Sequence, residues 1–148
     1  MRQYILPKET NRHQFKGLKI TEKFLDENPD AIFVFGDNLY REGKGGAALL
    51  RDHPQSYGFI TKKAPNLKTE SFYQPEEYWP VFHFELAKLQ QLIIGSPEDY
   101  FLVSQLGSGL ANRYEIFENV IRPSIGVLHA HNNVAFLYAQ PIPYYPGA

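Results

Sequence analysis

The stretch Ala31-Ile32-Phe33-Val34-Phe35-Gly36-Asp37-Asn38, followed after four intervening residues by Gly43-Lys44-Gly45-Gly46-Ala47-Ala48, decides how this chain is read. Ala31–Phe35 is a continuous apolar run of β-branched and aromatic residues. It predicts a strand covered on both faces. Gly36-Asp37-Asn38 reads as the turn that ends it. Tyr40–Gly46 reads as a polar, glycine-rich loop, and Ala47–Asp52 as a short helix. Glycines allow a close approach of backbone to a ligand. Free N–H groups at a helix start attract an anion. Ala47 is small enough to leave room for a phosphate, and Lys44 can add a positive charge. The segment is neither a Walker A loop nor a G-x-G-x-x-G dinucleotide fingerprint.

The same sequence of events recurs at Leu102-Val103-Ser104-Gln105-Leu106-Gly107-Ser108-Gly109-Leu110-Ala111. A strand over Tyr100–Leu106 runs into a second glycine turn. Ligands of open α/β sheets sit beyond the carboxyl ends of the strands. If these two strands are neighbours, both turns face one crevice, and two glycine-lined loops suit a pyrophosphate. Either turn alone is ordinary punctuation. The pair in the same setting is what favours a binding crevice.

The remaining chain fits this frame. Thr21–Asn28 predicts a short helix capped by Thr21, and Tyr57–Thr61 a strand. Lys62–Glu77 lacks periodicity and reads as a long surface loop. Glu76–Ile94 predicts the main helix, with Phe82, Leu86, Leu89 and Ile93 on one stripe. Tyr114–Val120 reads as helical with a break before Pro123, and Val134–Ala139 as the last strand. Strands alternating with helices predict a single-domain α/β fold, a mixed, mostly parallel sheet flanked by helices. Residues 1–18 read as an arm or edge strand, 19–140 as the domain and 141–148 as a proline-rich tail.

Composition narrows the function classes. The 148 residues hold 15 Lys+Arg against 16 Asp+Glu, a net charge of −1 that lacks the footprint of extended nucleic-acid binding. With no cysteine, disulfides, thiol nucleophiles, iron–sulfur clusters and cysteine-ligated zinc are excluded. Met1–Lys8 lacks the apolar core of a secretory signal, and no apolar run is long enough to span a membrane. A cytoplasmic location is expected. An aromatic content of 15% excludes disorder.

The order of these pieces resembles the macro domain, an ADP-ribose-binding α/β fold, and an uncharacterised macro-like branch more closely. Phe33–Leu39, Gly43–Ala48, Phe59-Ile60-Thr61-Lys62 and Gly107–Ala111 carry the likeness, within residues 31–139. The resemblance implies a three-layer macro-like fold with no cofactor. It implies ADP-ribose or a related nucleotide diphosphate as ligand, and an ADP-ribosylated macromolecule as a candidate partner. It assigns Gly36, Gly43, Lys44, Gly45, Gly46 and Ala47, then Gly107, Ser108, Gly109 and Leu110, to ligand binding, with Tyr114 flanking the distal ribose. Lys44 interrupts a glycine run that is denser in the family, and Asp37 stands where many members carry a small apolar residue.

Asn38 would hydrogen-bond the distal ribose by this resemblance, since an amide donates and accepts at once; the alternative is a turn asparagine serving its own backbone. Asp37 can act as a general base on water at the ribose carbon, or as a turn cap. Those two residues define a rival reading, an ADP-ribosyl hydrolase. Arg41, Lys44 and Arg51 can meet phosphates or form a solvated basic face. Thr61-Lys62-Lys63 can approach the same crevice. Phe72, Tyr73, Tyr78, Trp79 and Phe82 read as core or interface aromatics before base-stacking ones. His129 and His131 lack a third ligand, so no metal site is assigned. Ser104 has no nucleophile-elbow context. A third reading is a ligand-free interaction module, with which self-association is compatible.

Overall fold

The computed structural model describes residues 15–138. It is an α/β arrangement around a four-stranded sheet. In chain order the elements are α1 (Glu22–Glu27), β1 (Ala31–Asn38), β2 (Ser56–Lys62), α2 (Pro75–Gly95), β3 (Tyr100–Val103), α3 (Arg122–Ile125) and β4 (Val134–Phe136). The strands stand in the order β2-β1-β3-β4, and every adjacent pair is parallel. The antiparallel component of the expected mixed sheet is, among the described residues, one isolated bridge between Lys62 and Phe72.

Both faces of the sheet are dry, as the unbroken apolar runs require. On one face Val34, Phe59, Phe101, Val103 and Val134 pack with Phe82, Leu86, Leu89 and Ile93 of α2 and with Ile121 and Ile125. On the other, Ala31, Tyr100, Leu102 and Ala135 pack with Phe15, Ile20, Phe24 and Leu25. The expected stripe of α2 is thus buried in full. The helix starts at Pro75, with Gln74 and Glu77 capping each other reciprocally. α1 starts as expected, with the Thr21 hydroxyl accepting the Phe24 N–H at 3.1 Å.

Four local expectations are revised. β1 does not stop at Phe35 but runs through Gly36, Asp37 and Asn38. β2 supplies partners for them (Gly36↔Phe59, Asp37↔Ile60, Asn38↔Lys62), and ladder bonds outweigh the turn propensity of Gly-Asp-Asn. The helix expected over Ala47–Asp52 shrinks to a 3-10 turn at Gly46–Ala48. Leu50 is drawn into the core, Arg51 is drawn back to the glycine loop, and Pro54 disfavours helix at His53. The loop after β2 is anchored, because Lys63 N–H donates to Ser71 C=O and both Phe72 and Tyr73 are buried. Chain at Pro123 does not break: a π-helical segment, Phe117–Ile121, passes directly into α3.

Of the expected arm, residues 1–14 lie outside the described residues, but Phe15 is buried and Gly17 N–H donates to Leu137 C=O at 3.0 Å. Ala139 and the tail 141–148 also lie outside. Among the described residues, no helix is long and apolar enough to cross a membrane.

Candidate functional site

The chain leaves β1 toward β2 on one side, then crosses back to β3 on the other. The loops that follow β1 and β3 therefore diverge at their carboxyl ends. That is the topological switch point where open α/β sheets bind ligands. A cleft of about 490 Å³ opens there. Its size falls within the usual range for a small-molecule site.

Most of the expected residues meet in this cleft. The end of β1 supplies Gly36, Asp37 and Asn38. The first glycine loop supplies Gly43, Gly45, Gly46 and Ala47. The second supplies Gly107, Gly109 and Leu110. Lys44, Ser108 and Tyr114 do not line it. The Lys44 ammonium pairs with the Asp52 carboxylate on the exposed side of the loop. The Ser108 hydroxyl donates to Gln105 C=O at 2.8 Å. The Tyr114 ring has the Arg113 guanidinium 5.9 Å from its centre.

The backbone here takes conformations that favour glycine. Gly43, Gly46 and Gly107 have positive φ of 92°, 54° and 76°, which side chains rarely adopt. Among the described residues, the N–H groups of Gly43, Lys44, Gly45, Gly46 and Ala47 find no acceptor, nor do those of Gly109 and Leu110. The expected helix dipole is absent, since only one 3-10 turn follows each loop.

The polar side chains at the end of β1 are already engaged. Asp37 is 4% exposed. Its carboxylate accepts the Asn38 N–H at 2.8 Å and pairs with Arg41 at 3.1 Å and Arg51 at 2.6 Å. The Asn38 amide accepts the Tyr40 N–H at 3.0 Å and donates to Glu42 C=O at 2.8 Å. Arg51 also donates from Nε to Gly43 C=O at 2.7 Å and from Nη2 to Glu42 C=O at 3.0 Å. These side chains form a brace beneath the first loop, and neither Arg41 nor Arg51 lines the cleft.

The third wall was only half legible. Thr61 and Lys62, at the end of β2, are joined by Pro65, Asn66 and Leu67. The Lys62 ammonium donates to Asn66 C=O at 2.8 Å and lies 4.8 Å above the Phe72 ring. Partial burial moves its pKa below the usual lysine value. Lys63 turns away to Glu77 at 2.8 Å. Pro65–Leu67 carry no motif. Their place follows from the Lys62–Phe72 bridge, a long-range pairing that local sequence does not announce. Ser104 and Gln105 line the floor at the end of β3.

Among the described residues, no aromatic side chain lines the cleft. Tyr78 and Phe82 are core, and His83 packs edge-on against Trp79. His129 packs on Phe136, while His131 borders a separate 300 Å³ depression beside the end of α2. Among the described residues, no three His, Asp or Glu side chains converge to hold a metal.

A family model described as a family of unknown function (DUF7831) matches residues 16–112. The match runs from just before α1 through the second glycine turn, and so takes in all three walls of the cleft. No curated protein and no solved structure matches the chain.

Proposed function

We propose that this chain, which belongs to the DUF7831 family of unknown function, binds ADP-ribose or a related nucleotide diphosphate in the cleft at the β1/β3 switch point. The observation that carries the reading is the pairing of two glycine loops across one cleft, with runs of N–H groups that have no acceptor among the described residues. Backbone N–H groups are the donors expected for phosphate oxygens, and two facing sets suit two linked phosphates. The likeness of Phe33–Leu39, Gly43–Ala48 and Gly107–Ala111 to the macro domain supports the same ligand and the same fold family. On this reading the loop around Gly45 and Gly46 holds one phosphate, and Gly109 and Leu110 the other.

Binding is favoured over hydrolysis. The Asp37 carboxylate and both ends of the Asn38 amide are committed to the loop, so neither is free to position water. Loss of turnover in Asp37→Ala or Asn38→Ala would therefore report loop collapse as readily as lost chemistry.

Calorimetric titration with ADP-ribose, with AMP, ADP and NAD as comparators, tests the reading. Micromolar binding that is lost in Gly109→Glu supports it. No heat and no thermal stabilisation at millimolar ligand would discard the nucleotide and favour a ligand-free interaction module.

A further inference from the structure

Arg51 links the buried end of β1 to the first glycine loop through two nitrogens of its guanidinium. Its side chain is 13% exposed and its guanidinium carbon lies 5.5 Å from the centre of the Phe35 ring. Nη2 bonds Asp37 Oδ1 and Glu42 C=O, and Nε bonds Gly43 C=O. A trans peptide is planar, so its C=O and the next N–H point in opposite directions. Turning the carbonyls of Glu42 and Gly43 onto Arg51 therefore turns the N–H groups of Gly43 and Lys44 away from it. These are two of six consecutive N–H groups, Glu42 to Ala47, without an acceptor among the described residues.

We propose that Arg51 is the positioning residue of the phosphate loop: anchored on Asp37, it holds the Glu42 and Gly43 peptide planes so that the N–H groups of the cleft-lining residues Gly43, Gly45, Gly46 and Ala47 stay open to an anion. The proposal deepens the binding reading and rests on it for the identity of the ligand. It assigns Arg51 no ligand contact, which separates it from the expectation that this arginine meets phosphate directly. Lysine cannot replace it, because a single ammonium lacks the fork that reaches a carboxylate and two carbonyls at once.

The test combines nitrogen-15 relaxation of the loop glycines with ADP-ribose calorimetry on wild type, Arg51→Lys and Arg51→Gln. In wild type, Gly43, Gly45 and Gly46 should be as rigid as β1. In both variants their order parameters should fall below about 0.6, with β1 and α2 unchanged. ADP-ribose affinity should fall about tenfold or more at a temperature where circular dichroism shows the fold intact. Loop order parameters unchanged in both variants would overturn the proposal. If neither variant folds, the wild-type Arg51 Nε–H decides: slow solvent exchange supports a bond to Gly43 C=O, and rapid exchange overturns it. A rigid wild-type loop that loosens in the variants, in a protein that takes no nucleotide, would discard the ligand and keep Arg51 as the loop's anchor.

Discussion

The Asp37 carboxylate lies directly over the Cα of Gly58 on the neighbouring strand. A Cβ placed at residue 58 would stand 2.9 Å from both Cβ and Cγ of Asp37, closer than real Cβ atoms come. The Gly58 carbonyl also accepts from Arg41 at 2.9 Å, so the strand edge and the brace share this point. Gly58→Ala should push Asp37 off Arg51, lower stability by about 1–3 kcal/mol and weaken ADP-ribose binding. Urea denaturation and calorimetry check this. Wild-type values for both would mean that Asp37 can move without cost.

The two glycines of the second turn should respond in opposite ways. Gly107 has φ +76°, and a Cβ there would meet Ile121 Cδ1 at 2.5 Å. Gly109 has φ −94° and open space where its Cβ would be. Gly107→Ala should cost about 2 kcal/mol or more of stability through strain and overpacking. Gly109→Glu meets no such clash and should cost less stability than Gly107→Ala, while placing a bulky carboxylate in the cleft and abolishing nucleotide binding. For the same reason Gly45→Glu, at φ −83°, is a cleaner probe of the first loop than Gly46→Glu, at φ +54°. Equal melting shifts for the two second-turn variants would contradict the geometry.

What the sequence made legible and what it hid follow one physical division. Buried elements announce themselves: Ala31, Val34 and Phe35, or Phe82, Leu86 and Leu89, are apolar because they face a dry core, and their spacing reveals the element. The glycine turns were legible as a pair, and the parallel pairing of β1 with β3 brings them together. The end of β1 was misread because ladder partners from β2 are a tertiary fact. Asn38 takes the turn-asparagine alternative, bonding the Tyr40 N–H and Glu42 C=O, whereas the engagement of Arg51 was hidden because two of its partners are loop carbonyls, which every residue carries and no sequence pattern marks. Pro65–Leu67 escaped for a related reason, since one bridge at Phe72 folds them over the cleft.

The outer edge of β2 is closed by side chains of α2. The Ile60 N–H donates to Glu85 Oε1 at 2.8 Å, and the Ile60 C=O accepts from the Tyr78 hydroxyl at 2.6 Å. Lys88 approaches the other Glu85 oxygen at 3.2 Å. An unpaired strand edge invites pairing with another chain. Glu85→Ala should cost about 1–3 kcal/mol, because it orphans a buried N–H, whereas Glu85→Gln keeps an acceptor and should cost less. Chemical denaturation ranks the two, and light scattering should detect aggregation first in Glu85→Ala. Equal stability of Glu85→Ala and wild type would show the edge to be satisfied another way.

Alkaline pH should unfold this protein through its buried tyrosines. Tyr78 and Tyr138 are 0% and 3% exposed. Burial pushes both hydroxyls well above the ordinary value near 10, and for Tyr78 the Glu85 carboxylate adds to the effect. Tyr57 and Tyr73 shift the same way from partial burial. A raised pKa in the folded state means that the unfolded chain releases its proton first. The stability contributed by the neutral hydroxyl is thus complete below about pH 10 and is lost as pH climbs toward the folded value. Each deeply buried tyrosine should lower the unfolding free energy by about 1.4 kcal/mol per pH unit above 10. Denaturation measured from pH 8 to 11.5 should show a flat region and then a steep fall. Tyr78→Phe should be less stable at pH 8, having lost the bond to Ile60, yet its curve should fall less steeply above pH 10. An unchanged slope would mean that Tyr78 ionises as readily in the fold as in the unfolded chain.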